Sequence, residues 1–206
     1  MNAERGTDKH TKHGDILAAA QKVFLREGYD LASMEAIACE AEVSKQTVYN
    51  HFGGKEELFR GFVQARCEAI SSALDRDFLD AGDGPERVLT AFARNILDVM
   101  LSRETMHLKR LLQSEGRRHP KLAKIFYRLG PDRTASRLAD YLAEQRGKGR
   151  LTVQDPRIAA EQFVSMLTGH LRMRHLIGLA KPPTRAEREQ YIANAVQLFL
   201  DGARPR

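Results

Sequence analysis

Residues 33–59 read SMEAIACEAEVSKQTVYNHFGGKEELF, and this stretch decides the fold. Ser33 and Ser44 each precede a short run with apolar residues at helical spacing, and a serine so placed accepts a hydrogen bond from an otherwise unpaired first-turn amide. The first run, 34–42, is predicted to bury Ile37, Ala38 and Ala41. The second, 45–52, closes at Gly53-Gly54, before a long helix that starts near Lys55. Upstream, Ile16, Ala19, Ala20, Val23 and Phe24 share one face of a helix over 9–27, and Gly28 supplies a left-handed stop. Two short capped helices separated by one turn, set between two longer ones, read as a helix-turn-helix.

Downstream, apolar residues keep recurring at spacings of three and four and strand signals are scarce, so an all-α fold follows. The long helix runs through Leu58, Phe62, Ala65, Ala69, Ile70 and Leu74 to the AGDGP stretch at 81–85, whose glycines and proline end it. Further helices are predicted over 85–101, 104–117, 120–129, 131–145, 156–178 and 184–202. Pro85, Pro120, Pro131 and Pro156 fall at or near first turns, where a missing amide costs little. The implied division is a helix-turn-helix domain over 1–54, with a disordered arm at 1–8, and a larger helical body over 55–206 whose first helix is the connector.

A chain of 206 residues is long enough to bury a sizeable core without staples. Cys39 and Cys67 are too few and too isolated for a disulfide framework or a structural zinc, and both read as small buried hydrophobes. His10 and His13 have ligand-like spacing but lie in a polar arm, so no metal and no cofactor are expected. The N-terminal stretch lacks an apolar run, and no later segment has the roughly 18 apolar residues of a membrane span, which predicts a soluble cytoplasmic protein with no membrane partner. The net charge of +6 is misplaced for a simple electrostatic account of nucleic-acid binding. Residues 1–60 carry eight Lys/Arg against ten Asp/Glu, whereas 61–206 carry twenty-five against seventeen. HExxH, GxSxG and phosphate-loop patterns are all missing, and the acids at 80–86 sit in an interhelical break, so no enzyme and no catalytic residue is predicted.

In a docked helix-turn-helix the second helix enters the major groove with its N-terminal residues at base edges. Lys45 and Gln46 are suited to donate to base acceptors, and Thr47 offers a methyl or hydroxyl to a base edge. Tyr49, Asn50 and His51 lie one turn further on, where side chains more often reach phosphates. Ser33 and Ser44 mark the two helix starts, and Lys55 with the amide-rich start of the next helix makes an anion site.

The pairs Ile37-Ala38, Val43-Ser44 and His51-Phe52, the run Thr47-Val48-Tyr49, and Lys55-Glu56 with Leu58-Phe59 together resemble the N-terminal signature of the TetR regulator family, with Phe24 and Gly28 ahead of them. The resemblance implies that Thr47, Tyr49, His51 and Lys55 touch DNA, and that Lys45 and Gln46 set operator choice. Glu42 stands where the family usually has glycine, which puts a residue with a Cβ in a left-handed conformation. More diffusely, Leu108 to Leu112, Glu115, Pro120, Leu122, Phe126-Tyr127, Gly130-Pro131 and Asp155-Pro156 resemble the C-terminal region of AefR-like repressors within that family.

That second resemblance implies a helical body that senses a ligand and dimerises. Polar or adaptable groups within its apolar helices are the pocket candidates: Arg94, Met100, His107, Arg110, Gln113, Phe126, Tyr127, His170 and Arg174. The family's last two helices resemble a dimer interface, which selects Phe163, Met166, Gly169, His170, Met173, Ile177, Tyr191, Ala195, Leu198 and Phe199. The expected function is a ligand-responsive regulator, a repressor that binds a palindromic operator in double-stranded DNA as a homodimer and is released by a small-molecule effector. The alternative is an architectural or partner-recruiting DNA binder without an effector.

Overall fold

The computed structural model describes residues 3–75, 84–179 and 183–205, with side chains for 12–65, 84–179 and 183–205. Among them the regular elements are helices: α1 (Ala3–Leu31), α2 (Met34–Glu40), α3 (Lys45–Phe52), α4 (Lys55–Asp75), α5 (Pro85–Met100), α6 (Arg103–Glu115), α7 (Pro120–Tyr127), α8 (Arg133–Gly147), α9 (Pro156–Leu176) and α10 (Arg185–Ala203). No helix among these residues is long and apolar enough to cross a membrane.

Two local expectations change. Helix α1 begins at Ala3, inside the stretch expected to be a disordered arm. The predicted break at Gly130-Pro131 is a π-helical turn, Arg128–Asp132, that contains the proline. Pro131 has no N–H to give, and the ladder widens there instead of stopping. Most of the AGDGP stretch and the side chains of Cys67, Ala69, Ile70 and Leu74 lie outside the described residues.

Backbone proximity divides the chain into two compact units, Met1–Cys67 with His107–Leu129, and Glu68–Met106 with Gly130–Arg206. The first unit is therefore discontinuous in sequence and takes in α7 and most of α6 beside the helix-turn-helix. Its core joins Ile16, Ala20, Val23 and Phe24 of α1 to Ile37, Val48, Phe52, Leu58 and Phe59, and to Leu108, Leu111 and Leu122. Phe24, Tyr29 and Phe59 pack ring on ring with centroids 5.5 to 5.7 Å apart, contacts worth about 1 kcal/mol each beyond the area they bury. Gly28 bends the end of α1 with φ 82° and ψ 171°, a region that essentially only glycine visits. The expected stop is there, though its ψ is extended rather than left-handed helical.

In the second unit α5, α8, α9 and α10 share a core built on Leu89, Phe92, Ile96, Leu142, Phe163, Leu167, Ile192 and Val196. Two of its helix starts, those of α9 and α10, carry side-chain caps. Asp155 accepts from the amides of Arg157 and Ile158 at 2.8 and 3.0 Å, with Pro156 in the first turn. At α10 the Thr184 hydroxyl accepts from the Glu187 amide at 3.2 Å while the Thr184 amide donates to the Glu187 carboxylate at 2.7 Å, a reciprocal capping box. That amide, and then the Thr184 hydroxyl, hold the Glu187 carboxyl below its ordinary pKa.

Candidate nucleic-acid interface

Helices α2 and α3 are fixed at both ends by their own sequence. Ser33 accepts from the Ala36 amide and Ser44 from the Thr47 amide, each at 3.0 Å. Between them the chain turns through Glu42, whose φ of 54° makes it the one non-glycine residue with positive φ among the described residues. The Val43 amide donates back to the Ala38 carbonyl at 3.0 Å and the Glu42 amide to the Cys39 carbonyl at 3.2 Å, so a Schellman motif forms without glycine. Helix α3 ends at Gly53, in the left-handed conformation.

This framing turns α3 so that Val48 and Phe52 are buried and Lys45, Gln46, Tyr49 and Asn50 are exposed, with Thr47 and His51 half-buried. Gln46 Nε2 donates to Asn50 Oδ1 at 2.9 Å, so the two amides form one polar strip along the outer face. The Lys45 ammonium bonds Glu35 of α2 and stands 5.7 Å from the centre of the Tyr49 ring. That bond raises the Lys45 pKa and lowers that of Glu35. The Thr47 hydroxyl lies 2.8 Å from Ser44 Oγ, which fixes its orientation and leaves its methyl and a remaining lone pair for other contacts.

Lys55 has a different post from the one expected. Its ammonium donates to the carbonyls of Tyr29, Asp30 and Ala32 at 2.8, 3.1 and 3.0 Å, and it sits 4.6 Å from the centre of the Tyr29 ring. All three ammonium protons are thus spent inside the chain. Lys55 ties the start of α4 to the end of α1.

Other assignments move as well. Cys39 is exposed rather than buried, since its place on α2 falls between the inward Ile37 and Ala38 and the turn. His13 is part of helical α1 and stacks on Phe52 with centroids 4.5 Å apart, 6.0 Å from the His51 ring. His13 and Glu35 therefore flank α3, and neither was selected from sequence because both reach it from another helix.

On α9, Ala160, Phe163, Leu167 and Leu171 form a buried stripe, and Met166, His170, Met173 and Ile177 an exposed one. Phe163 and Ala195, expected in a dimer interface, are instead core within the chain. The Phe163 ring meets Phe199 edge-on at 5.0 Å and lies 6.2 Å from Phe92. Met173, Ile177 and Leu198 are 57%, 59% and 65% exposed. Tyr191 is also exposed, while Gly169 and Phe199 are half-buried.

The pocket candidates fall in both units: His107, Arg110, Gln113, Phe126 and Tyr127 in the first, and Arg94, Met100, His170 and Arg174 in the second. His107, Arg110, Gln113, Tyr127, His170 and Arg174 are exposed, and Phe126 packs on the first core. A cleft of about 650 Å³ in the second unit is lined by Arg94, Asp98, Arg185, Arg188 and Glu189 over Leu97 and Ile192. Arg94 grips Glu189 through two nitrogens at 2.9 and 2.7 Å, and Arg188 pairs with Asp98, so this cleft is charged and not the apolar cavity expected. Nearby in sequence to neither, the Tyr141 hydroxyl is buried without a hydrogen-bond partner, and burial pushes its pKa up to about 12.

Residues 16–61 match the family model described as bacterial regulatory proteins, tetR family, and residues 87–202 match the one described as AefR-like transcriptional repressor, C-terminal domain. Among solved structures the chain is similar to the flavonoid-responsive regulator FrrA, at 36% identity and a TM-score of 0.82, covering 96% of this chain and 99% of that one. It is 28% identical over 201 residues to the HTH-type transcriptional regulator TcmR of Streptomyces glaucescens, covering 92% of this chain and 81% of TcmR. The HTH-type transcriptional activator FasR of Mycolicibacterium smegmatis is 34% identical over 80 residues, which cover 39% of this chain and 36% of FasR.

Proposed function

The chain belongs to the TetR family of bacterial transcriptional regulators and carries an AefR-like C-terminal domain, and from that premise we propose that it is a cytoplasmic homodimeric repressor released from a palindromic operator by a small-molecule effector. Residues 1–54 act as the DNA-binding domain and 55–206 as the regulatory and dimerising body, with α4 as connector. Its role is regulatory and not catalytic. The observation that carries the DNA-binding half is the outer face of α3, where Lys45, Gln46, Tyr49 and Asn50 stand clear on a helix capped at both ends and anchored by Val48 and Phe52.

Two such helices on a two-fold dimer enter successive major grooves, about 34–36 Å apart. Gln46 and Asn50 face base edges, the α4 first turn holds a phosphate, and the exposed Met166, Met173, Ile177 and Leu198 are covered by the second copy. The effector binds the DNA-incompetent arrangement of the body more tightly than the competent one, because only differential affinity shifts a population. Likeness to a flavonoid-responsive regulator makes flavonoids the first effector class to try.

Operator sequences selected from a random pool, read by fluorescence anisotropy, test the α3 assignment. Gln46→Ala is expected to change base preference at about one or two positions per half-site, at about 1–3 kcal/mol per bidentate contact. Wild-type preference across all operator variants would remove Gln46 from the reading face. Flavonoid titration into the protein–operator complex tests the effector class, with dissociation expected and unaltered operator affinity excluding it.

A further inference from the structure

Asp30 is remote in sequence from Glu115 and His119, yet the first unit brings the three together. Asp30 lies in the segment that follows the Gly28 bend, Glu115 ends α6, and His119 precedes α7. The His119 amide donates to the Glu115 carbonyl at 2.8 Å, so the corner between α6 and α7 keeps one helical turn and sets both side chains on the same side. One carboxylate oxygen from Asp30, one from Glu115 and a ring nitrogen of His119 all lie within 4.8 Å of one another. His119 Nε2 bonds Asp30 Oδ1 directly and is 4.0 Å from Glu115 Oε2.

A second observation is Glu115 Oε2, an atom buried without a hydrogen-bond partner on a side chain that is 14% exposed. A buried carboxylate oxygen without a donor is costly. Arg118 stands nearby with Nη1 3.3 Å from Asp30 Oδ2, but it is 3.9 Å from Glu115 Oε2 and 70% of its side chain is exposed. At that length it makes no hydrogen bond to Glu115 and is largely screened by solvent. Two carboxylates and one imidazole form the mixed oxygen and nitrogen donor set that divalent transition metals take, whereas magnesium and calcium favour oxygen alone.

We propose that Asp30, Glu115 and His119 bind a divalent transition-metal ion, against the sequence expectation of no metal. The ion replaces the Asp30–His119 hydrogen bond with two coordinate bonds, gives Glu115 Oε2 the partner it lacks, and leaves the remaining positions to water. It ties the end of α1, beyond the Gly28 bend, to the α6–α7 corner. Because the carbonyls of Tyr29, Asp30 and Ala32 also hold Lys55, the metal stiffens the same joint on which the helix-turn-helix rests. The proposal stands whether or not an organic effector exists.

The test uses full-length protein freed of metal by chelation and titrated with zinc chloride, with magnesium chloride as control. Calorimetry is expected to show a single strong equivalent of zinc per chain, a raised Tm, and no comparable response to magnesium. Glu115→Gln and His119→Gln are each expected to weaken zinc binding by about tenfold or more while helical content by circular dichroism is retained. A His10→Gln, His13→Gln double variant keeps wild-type affinity. Should a variant misfold, anomalous scattering at the zinc edge from crystals of the wild-type protein decides the matter without mutation. A peak among Asp30, Glu115 and His119 supports the site, and a peak elsewhere, or zinc affinity unchanged in both folded variants, overturns it.

Discussion

Helices α3 and α9 each turn one stripe of side chains inward and another outward, and they differ in what the outward stripe is made of. On α3 it is Lys45, Gln46, Tyr49 and Asn50, and on α9 it is Met166, His170, Met173 and Ile177. A polar strip on a short capped helix suits a wet, anionic partner whose base edges and phosphates demand hydrogen bonds. A mostly apolar strip gains by leaving water against another apolar surface. Two helices of one chain thus offer outward stripes of different chemistry, and the inward stripe of each anchors it in its own core.

The largest expected effect sharpens the α9 side. Phe163→Ala should cost about 3–5 kcal/mol in urea unfolding, as for a fully buried ring, while leaving subunit association measured by sedimentation at fixed folded fraction little changed. A variant that dissociates without losing stability would return Phe163 to the interface. Lys55→Ala comes next, at about 2 kcal/mol of stability for the loss of a charge-assisted triple bond to carbonyls. Its slope of log affinity against log salt should stay at the wild-type value. A slope smaller by about 0.9 would show that Lys55 neutralises a phosphate after all.

Glu42→Gly should stabilise by about 1 kcal/mol, because a left-handed residue then loses its Cβ, and Tm rises by a few degrees. The smallest effect sharpens the α3 side. Glu35→Gln releases Lys45 and removes a negative charge from the reading face, so operator affinity at neutral pH should tighten by about two- to fivefold. The sign with pH follows. The Glu35 carboxyl titrates below its ordinary value in the folded chain because Lys45 bonds it, so the pairing is complete above the ordinary carboxylate range and is lost as pH falls through the lowered value. The gap between Glu35→Gln and wild type should therefore close in acid.

The helix-turn-helix was legible because its information is local. Ser33, Ser44 and Gly53 terminate helices through neighbours three or four residues away, and the left-handed turn at Glu42 came from the family resemblance, which usually has glycine there. What was missed is long-range. On α9 the period of 3.6 residues identifies apolar stripes, but Phe163 and Met166 are close enough in angle that sequence merged a core stripe with an exposed one. The type of Lys55 suggested a phosphate contact, and only the fold reveals three carbonyls from residues 29 to 32 around it. The pocket candidates were chosen by chemistry within helices, and they fall in two units, since no local rule says which polar group converges on which.

The Lys55 clasp bears on how such regulators can be recombined. A DNA-reading head cut at residue 54 and grafted onto another body leaves its lysine behind, and the carbonyls of Tyr29, Asp30 and Ala32 arrive without their cation. The head also leaves behind Leu108, Leu111 and Leu122, which complete its core from 107–129. A transplant that folds must carry the start of α4 with it and find a matching apolar surface in the recipient. The interchangeable part is accordingly larger than the motif that reads DNA, and its seam is discontinuous along the chain.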